Sequence, residues 1–428
     1  MKDSFPDRKT LRVLRALVAV MILLPVSPLL VTSFLIVYIH IRYRSACVRK
    51  KDNFDAAIQY TPRVQTMSEA MEILKAIPFR TTVPTPLARF ARWLIETVPA
   101  ALNEVRGLAG LVYPYPEAFE PVIVESRDGT PLSGVLGMQP GEADKPALLF
   151  VHGLFGSKNA FNIQALALRA YYNWGFHVYA MDLRNFGDSS RFSEAPTSWG
   201  YRESDDVLAV AEYLESTARV TTVGVCGVSM GAASALLAAG RSGTSRPLAG
   251  GIVALNCYAD AGRAIEQVSD TSRLSLKSFT AWLAFRLMIG FKTFAGGPRP
   301  IGDLRSYTRE VAAQYYEISE EELYREASPV NIIGEIEVPC LIIHSLDDNV
   351  VPVAEAYDLL AASVDNPMVD ALIVPSGGHA NYLLSSPSWF HKTLETFFTY
   401  WAEFSPEGGQ YTGTSGTDTI GTFGNPNN

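Results

Sequence analysis

With 428 residues the chain can hold one large α/β domain plus an appendage, and it needs no disulfide or metal staple to complete a core. Hydrophobic residues make 48% of it and charged ones 19%, a balance that is apolar for a soluble enzyme and points to some surface lying against lipid. A net charge of −8 with no basic stripe argues against a nucleic-acid partner, and no CxxC pair or Cys/His cluster calls for a metal.

Taken in chain order, "ALVAVMILLPVSPLLVTSFLIVYI" from Ala16 to Ile39 carries no charge over a length that spans a bilayer. It is too long for a signal-peptide core and shows no small-residue cleavage site, so it reads as a retained membrane anchor. Pro25 and Pro28 allow either one kinked span or a re-entrant hairpin. Basic residues flank both sides (Lys2, Arg8, Lys9, Arg12 and Arg15; Arg42, Arg44, Arg49, Lys50 and Lys51), which favours both ends on the cytoplasmic side or leaves a single span undirected. The expected organisation is therefore an anchor at 1–51, a helical linker region at 52–119, a large α/β domain at 120–404 on the cytoplasmic side of a membrane, and a disordered tail at 405–428. Within the linker, Leu87, Phe90, Trp93 and Leu94 share one helical face.

Strand and helix patterns then alternate, the signature of a mostly parallel sheet covered on both faces. Strands are expected at Pro121 to Ser126, Ala147 to Gly153, Phe176 to Leu183, Thr221 to Ser229, Gly250 to Cys257, Val338 to Ser345 and Asp370 to Gly377, with helices such as Asn159 to Trp174 and Glu203 to Glu215 between them. Cys226, Cys257 and Cys340 fall in or at the ends of these apolar runs and read as buried thiols. One interval breaks the rhythm. About 258–336 contains the apolar stretch Leu274 to Phe294 and the acidic turn "EISEEELYREASP", and a segment of that size reads as a helical cap over the strand ends.

The chemistry concentrates at "VGVCGVSMGAASALLAA", Val223 to Ala239. A strand ends at Ser229 and a helix starts at once, which is the context of a nucleophile elbow. Gly227 and Gly231 let strand and helix approach, and the helix N-terminus favours developing negative charge at the serine. A serine hydroxyl needs a base that is itself oriented by an acid. Of six histidines, His379 in "VPSGGHANY" follows the last strand at the same sheet edge, whereas His177 and His391 read as structural and His40 belongs to the membrane flank. "IIHSLDDNVVP" offers Asp347 and Asp348 after a strand; Asp348 is preferred, Asp347 remains open, and Asp260 is a third option. The backbone N–H groups of Met230 and of Leu154, in "HGLFGS", suit an oxyanion hole, with His152 ordering that loop.

Together these motifs resemble the α/β-hydrolase superfamily over roughly Pro121 to Glu403: a mostly parallel central sheet flanked by helices, with a helical cap insertion and an N-terminal membrane segment. Within it, the anchor, "HGLFGS", "DLRNFGDS", "GVSMG", "REASP", "HSLDDNVVP" and "GGH" are similar to the branch with bacterial YheT-type esterases, animal membrane-anchored lipid hydrolases and yeast medium-chain alcohol acyltransferases. Asn185 departs from that branch, which usually has glycine there. The resemblance implies hydrolysis of lipid-like or medium-chain acyl esters by Ser229, His379 and Asp348 through an acyl-enzyme, without metal or organic cofactor. The alternatives are transfer of the acyl group to an alcohol, which the resemblance also implies, a peptidase or thioesterase activity on the same fold, and a non-catalytic membrane-tethered scaffold. A serine at the elbow disfavours epoxide and haloalkane hydrolysis, which use an aspartate there.

Overall fold

The computed structural model describes residues 66–86, 88, 114–242, 247–269 and 304–402. The expected anchor, the apolar stretch 274–294 of the cap, the helical face of Leu87, Phe90, Trp93 and Leu94, and the tail lie outside these residues. Among the described residues, no helix is long and apolar enough to cross a membrane.

Eight strands form one sheet: β1 (Phe119–Glu125), β2 (Pro131–Gly137), β3 (Lys145–Val151), β4 (His177–Met181), β5 (Val220–Val228), β6 (Ile252–Leu255), β7 (Cys340–Ser345) and β8 (Val369–Val374), in the order β1-β2-β4-β3-β5-β6-β7-β8. β2 pairs antiparallel with β1 and β4, and the six strands from β4 to β8 run parallel. The central strands are continuous apolar runs because both of their faces are covered. In β3, Ala147, Leu149 and Val151 enter one core, while Leu148 and Phe150 enter the other.

Each core is closed by its own helices. On one side lie α1 (Met67–Ala76), α2 (Phe161–Arg169) and the C-terminal helix Pro387–Ala402. Thr66 and Glu69 form a capping box that starts α1, and Met67, Ala70, Met71 and Leu74 are its buried stripe. α1, within the region 52–119, thus contributes directly to a core. On the other side lie α3 (Tyr201–Ser216), α4 (Met230–Arg241), α5 (Ala261–Ser269) and the helical stretch 304–315. That last stretch and Tyr316, which caps it, are held over the segment after β4: the Trp199 indole N–H donates to Thr308 Oγ1 at 2.8 Å, and the Tyr316 hydroxyl donates to the Pro196 carbonyl at 2.6 Å.

The sequence reading misses β2, whose glycines hide its alternation. They are present for neighbouring rings: a Cβ at Gly134 would lie 2.2 Å from the Tyr179 ring, and one at Gly137 would lie 2.7 Å from Phe119.

Candidate active site

β5 ends at Val228 and α4 begins at Met230, so Ser229 alone makes the turn. Its backbone sits at φ 54° and ψ −118°, a conformation that costs a non-glycine residue on the order of 1–3 kcal/mol. The surroundings hold it there. Ser229 N–H donates to the Leu255 carbonyl at 2.8 Å, and its own carbonyl accepts from Ala232 and Ala233 N–H at 2.9 and 3.0 Å. The two flanking glycines are steric requirements, since a Cβ on Gly227 would lie 2.4 Å from the Gly231 carbonyl oxygen and one on Gly231 would lie 2.4 Å from that of His152. Strand, helix and the loop after β3 therefore meet at van der Waals limits beneath the serine.

His379 lies on the turn after β8, where Gly377 and Gly378 both have positive φ. Its Nδ1 is 2.9 Å from Asp348 Oδ2, and the buried carboxylate also accepts from Val350 and Val351 N–H at 2.8 and 3.0 Å through Oδ1. With Nδ1–H donated to the carboxylate, Nε2 is left as the basic nitrogen. Burial pushes the Asp348 carboxyl up, but His379 opposite and the hydrogen bonds it accepts outweigh this and hold it below its ordinary value. Asp347 takes a different part: its Oδ1 accepts from Gly378 N–H at 2.7 Å, bracing the turn that carries His379. Asp260 accepts from Arg263 N–H at 2.8 Å and so caps the first turn of α5.

Two further residues touch this pair, neither of them evident from sequence. Asn256, fully buried at the end of β6, donates through Nδ2 to Asp348 Oδ2 at 2.6 Å and to the Gly378 carbonyl at 3.1 Å, and accepts from Ala380 N–H at 3.1 Å. His344, buried on β7, has Nε2 2.9 Å from the Val351 carbonyl and 3.6 Å from Asp348 Oδ2, and burial pushes its pKa down. The only signal for Asn256 was its place at a strand end facing the same edge as Ser229.

The loop after β3 carries Leu154 beside the elbow. His152 orders it: the ring accepts from Leu183 N–H at Nε2 (3.1 Å), which leaves Nδ1–H to donate to the Gly153 carbonyl at 2.7 Å. Gly153 lies against Ser229, since a Cβ there would come within 3.1 Å of Ser229 Cβ. Just beyond the loop, the buried Lys158 ammonium pairs with Asp182 and, at 2.8 Å, with Asp188, and the Lys158 backbone N–H donates to Asp182 Oδ1 at 2.6 Å. Burial lowers the Lys158 pKa, yet the two carboxylates more than compensate and leave it raised. The aspartates of "DLRNFGDS" thus clamp the loop expected to supply an oxyanion donor. Arg184 of the same motif is buried against Asp206, with Nε 3.0 Å from Oδ2. His177 is structural: Nδ1 accepts from Gln139 N–H at 2.9 Å, and burial pushes its pKa down.

Among the described residues, no cluster of three or more His, Cys, Asp or Glu could hold a metal.

The strand order and the sharp strand–serine–helix turn at Ser229 together define an architecture of a known family. A sequence profile of the Alpha/beta hydrolase family matches residues 148–393, more than half of the chain, and the chain belongs to that family. It is 28% identical over 224 residues to the uncharacterized protein YqkD of Bacillus subtilis (strain 168), spanning 52% of this chain and 62% of that one. Shorter stretches are similar to sn-1-specific diacylglycerol lipase ABHD11 of Mus musculus (41% over 71 residues, 17% of this chain and 22% of that one). Others are similar to medium-chain fatty acid ethyl ester synthase/esterase 2 of Saccharomyces cerevisiae (36% over 83 residues, 19% and 18%). The matched stretches span less than two thirds of each relative's length.

Proposed function

We propose that this chain is a serine hydrolase that cleaves carboxylic esters with lipid-like or medium-chain acyl groups. The observation that carries the reading is the 2.9 Å bond from His379 to the buried Asp348, at the sheet edge where Ser229 stands on its strained turn. His379 Nε2 takes the Ser229 proton, Ser229 Oγ attacks the ester carbonyl, and Asp348 stabilises the imidazolium that forms. Met230 and Leu154 N–H groups receive the negative charge on the carbonyl oxygen. The alcohol leaves with the proton from His379, and water, activated by the same base, releases the acid. Asp348 rather than Asp347 is the acid because it alone of the two is bonded to the imidazole.

The ester class is supported by the two named relatives, a diacylglycerol lipase and an ethyl ester synthase/esterase. The second name favours one alternative, in which an alcohol replaces water at the acyl-enzyme. The same reading places the protein at a membrane through Ala16 to Ile39, with the catalytic domain on the cytoplasmic side. Hydrolysis of p-nitrophenyl esters of graded acyl length, with and without added ethanol, tests the reaction. Turnover abolished by Ser229→Ala supports it, and ethyl ester among the products assigns the acceptor; wild-type turnover that survives Ser229→Ala rejects it. Extraction of membranes with carbonate and then detergent tests the anchor.

A further inference from the structure

Strands β5, β6, β7 and β8 lie side by side, and Ser229, Asn256, Asp348 and His379 follow their C-terminal ends in that order. The base and its acid are therefore on adjacent turns, with Asn256 emerging from the strand between the nucleophile's and the acid's. Its amide is fully committed. Nδ2 faces two groups that can only accept, the Asp348 carboxylate at 2.6 Å and the Gly378 carbonyl at 3.1 Å, while Oδ1 faces the Ala380 N–H at 3.1 Å. That pattern fixes which end of the amide is which, because reversing it would set oxygen against oxygen and donor against donor. Gly378 and Ala380 are the two neighbours of His379, so Asn256 grips the chain on both sides of the base while holding the acid.

The backbone supports this placement. Asn256 sits at φ 50°, a left-handed conformation that asparagine tolerates better than β-branched residues, and its N–H donates to the Ile343 carbonyl at 2.9 Å. Ser345 Oγ gives the Gly378 carbonyl a second donor at 2.7 Å, so the turn is tied to both β6 and β7.

We propose that Asn256 is a positioning residue for the ester hydrolysis described above, a bridge that fixes the spacing of Asp348 and His379 so that the imidazole meets Ser229 in one orientation. This rests on the serine-hydrolase reading. Asn256 acts through Asp348 and through the chain on either side of His379. The titratable groups around it are Asp348, Asp347 and His344 from β7 and its following turn, His379 and Tyr382 from the segment after β8, Cys257 next in the chain, and Glu355, which accepts from Ala259 N–H.

The test is the rate at which a fluorophosphonate labels the full chain as a function of pH, for wild type, Asn256→Ala and Asn256→Asp, with thermal melts at each pH. Asn256→Ala is expected to label on the order of a hundredfold more slowly across the range, as misplacement of a catalytic group does. Asn256→Asp separates positioning from bulk structure. Protonated, its carboxyl O–H replaces the lost N–H donor to Asp348; ionised, it repels Asp348. Its rate relative to wild type is therefore expected to fall as pH rises while the protein stays folded. If wild type fails to label, the serine-hydrolase reading fails and this inference with it. If wild type labels and Asn256→Asp keeps a constant ratio to wild type at every pH, the inference alone is overturned. Should Asn256→Ala fail to fold, the pH course of Asn256→Asp decides.

Discussion

Asp348 and His379 come from the turns after two neighbouring strands, 31 positions apart in sequence, and a 2.9 Å hydrogen bond joins them with the carboxylate fully buried. The adjacent Asp347 bonds the backbone of the same turn instead. Asp348→Asn is therefore expected to lower kcat by roughly a thousandfold or more, because an amide N–H facing His379 Nδ1 forces the wrong tautomer. Asp347→Asn keeps an acceptor for Gly378 N–H and is expected to change kcat by less than about tenfold. Steady-state kinetics of the two variants check the contrast; equal losses would remove Asp348 from its role.

The acid limb of stability follows from the same carboxylate. Its pKa is depressed in the folded protein, so its contribution is present above the unfolded carboxyl value of about 3.9 and is lost as pH falls through the lower folded value. Relative to Asp348→Asn, wild type is expected to hold an advantage of about 1–3 kcal/mol at neutral pH that shrinks below about pH 4. Urea titrations at several pH values measure it. An advantage that grows on acidification contradicts the assignment.

The elbow leaves no room for a methyl group. Gly231→Ala would drive Cβ to 2.4 Å from the His152 carbonyl, displacing either the helix start or the loop after β3. The expected cost is about 1–3 kcal/mol, with loss of activity beyond what the lowered stability explains. A melting curve and kcat for this variant provide the check, and a fully active, equally stable protein would show that the three segments are not in contact.

Lys158 offers a test of the oxyanion side. Replacing it with Met strands Asp182, which is buried and retains only backbone donors from Lys158 and Asp188. Removing one partner of such a buried pair typically costs about 3–5 kcal/mol. Asp188→Asn, at a more exposed partner, is expected to cost clearly less. Chemical denaturation of both variants orders them, and the reverse order would locate the clamp elsewhere.

Much of this arrangement was legible in the chain because it is local. An elbow is a strand, a serine between spaced glycines and a helix in immediate succession, so Ser229 declares itself, and chain order then points to a late aspartate and histidine. What stayed hidden depends on tertiary packing. The choice between adjacent Asp347 and Asp348 is made by which one meets the imidazole, and Asn256 is ordinary until β6 is seen between β5 and β7. β2 was missed because its glycines answer to rings on other strands. The departure at Asn185 has a physical account: its φ of 64° suits the glycine usual there, asparagine tolerates it, and the side chain lies 3.5 Å from the Tyr307 hydroxyl of the 304–315 stretch.

The proposed mechanism depends above all on an activated nucleophile at Ser229. Treating the purified protein with a fluorophosphonate and mapping the adduct by peptide mass spectrometry tests it directly. One adduct is predicted, on the peptide containing Ser229, absent in Ser229→Ala and strongly slowed in His379→Ala. A folded wild-type protein that takes no label, or that carries it on another residue, would contradict the account.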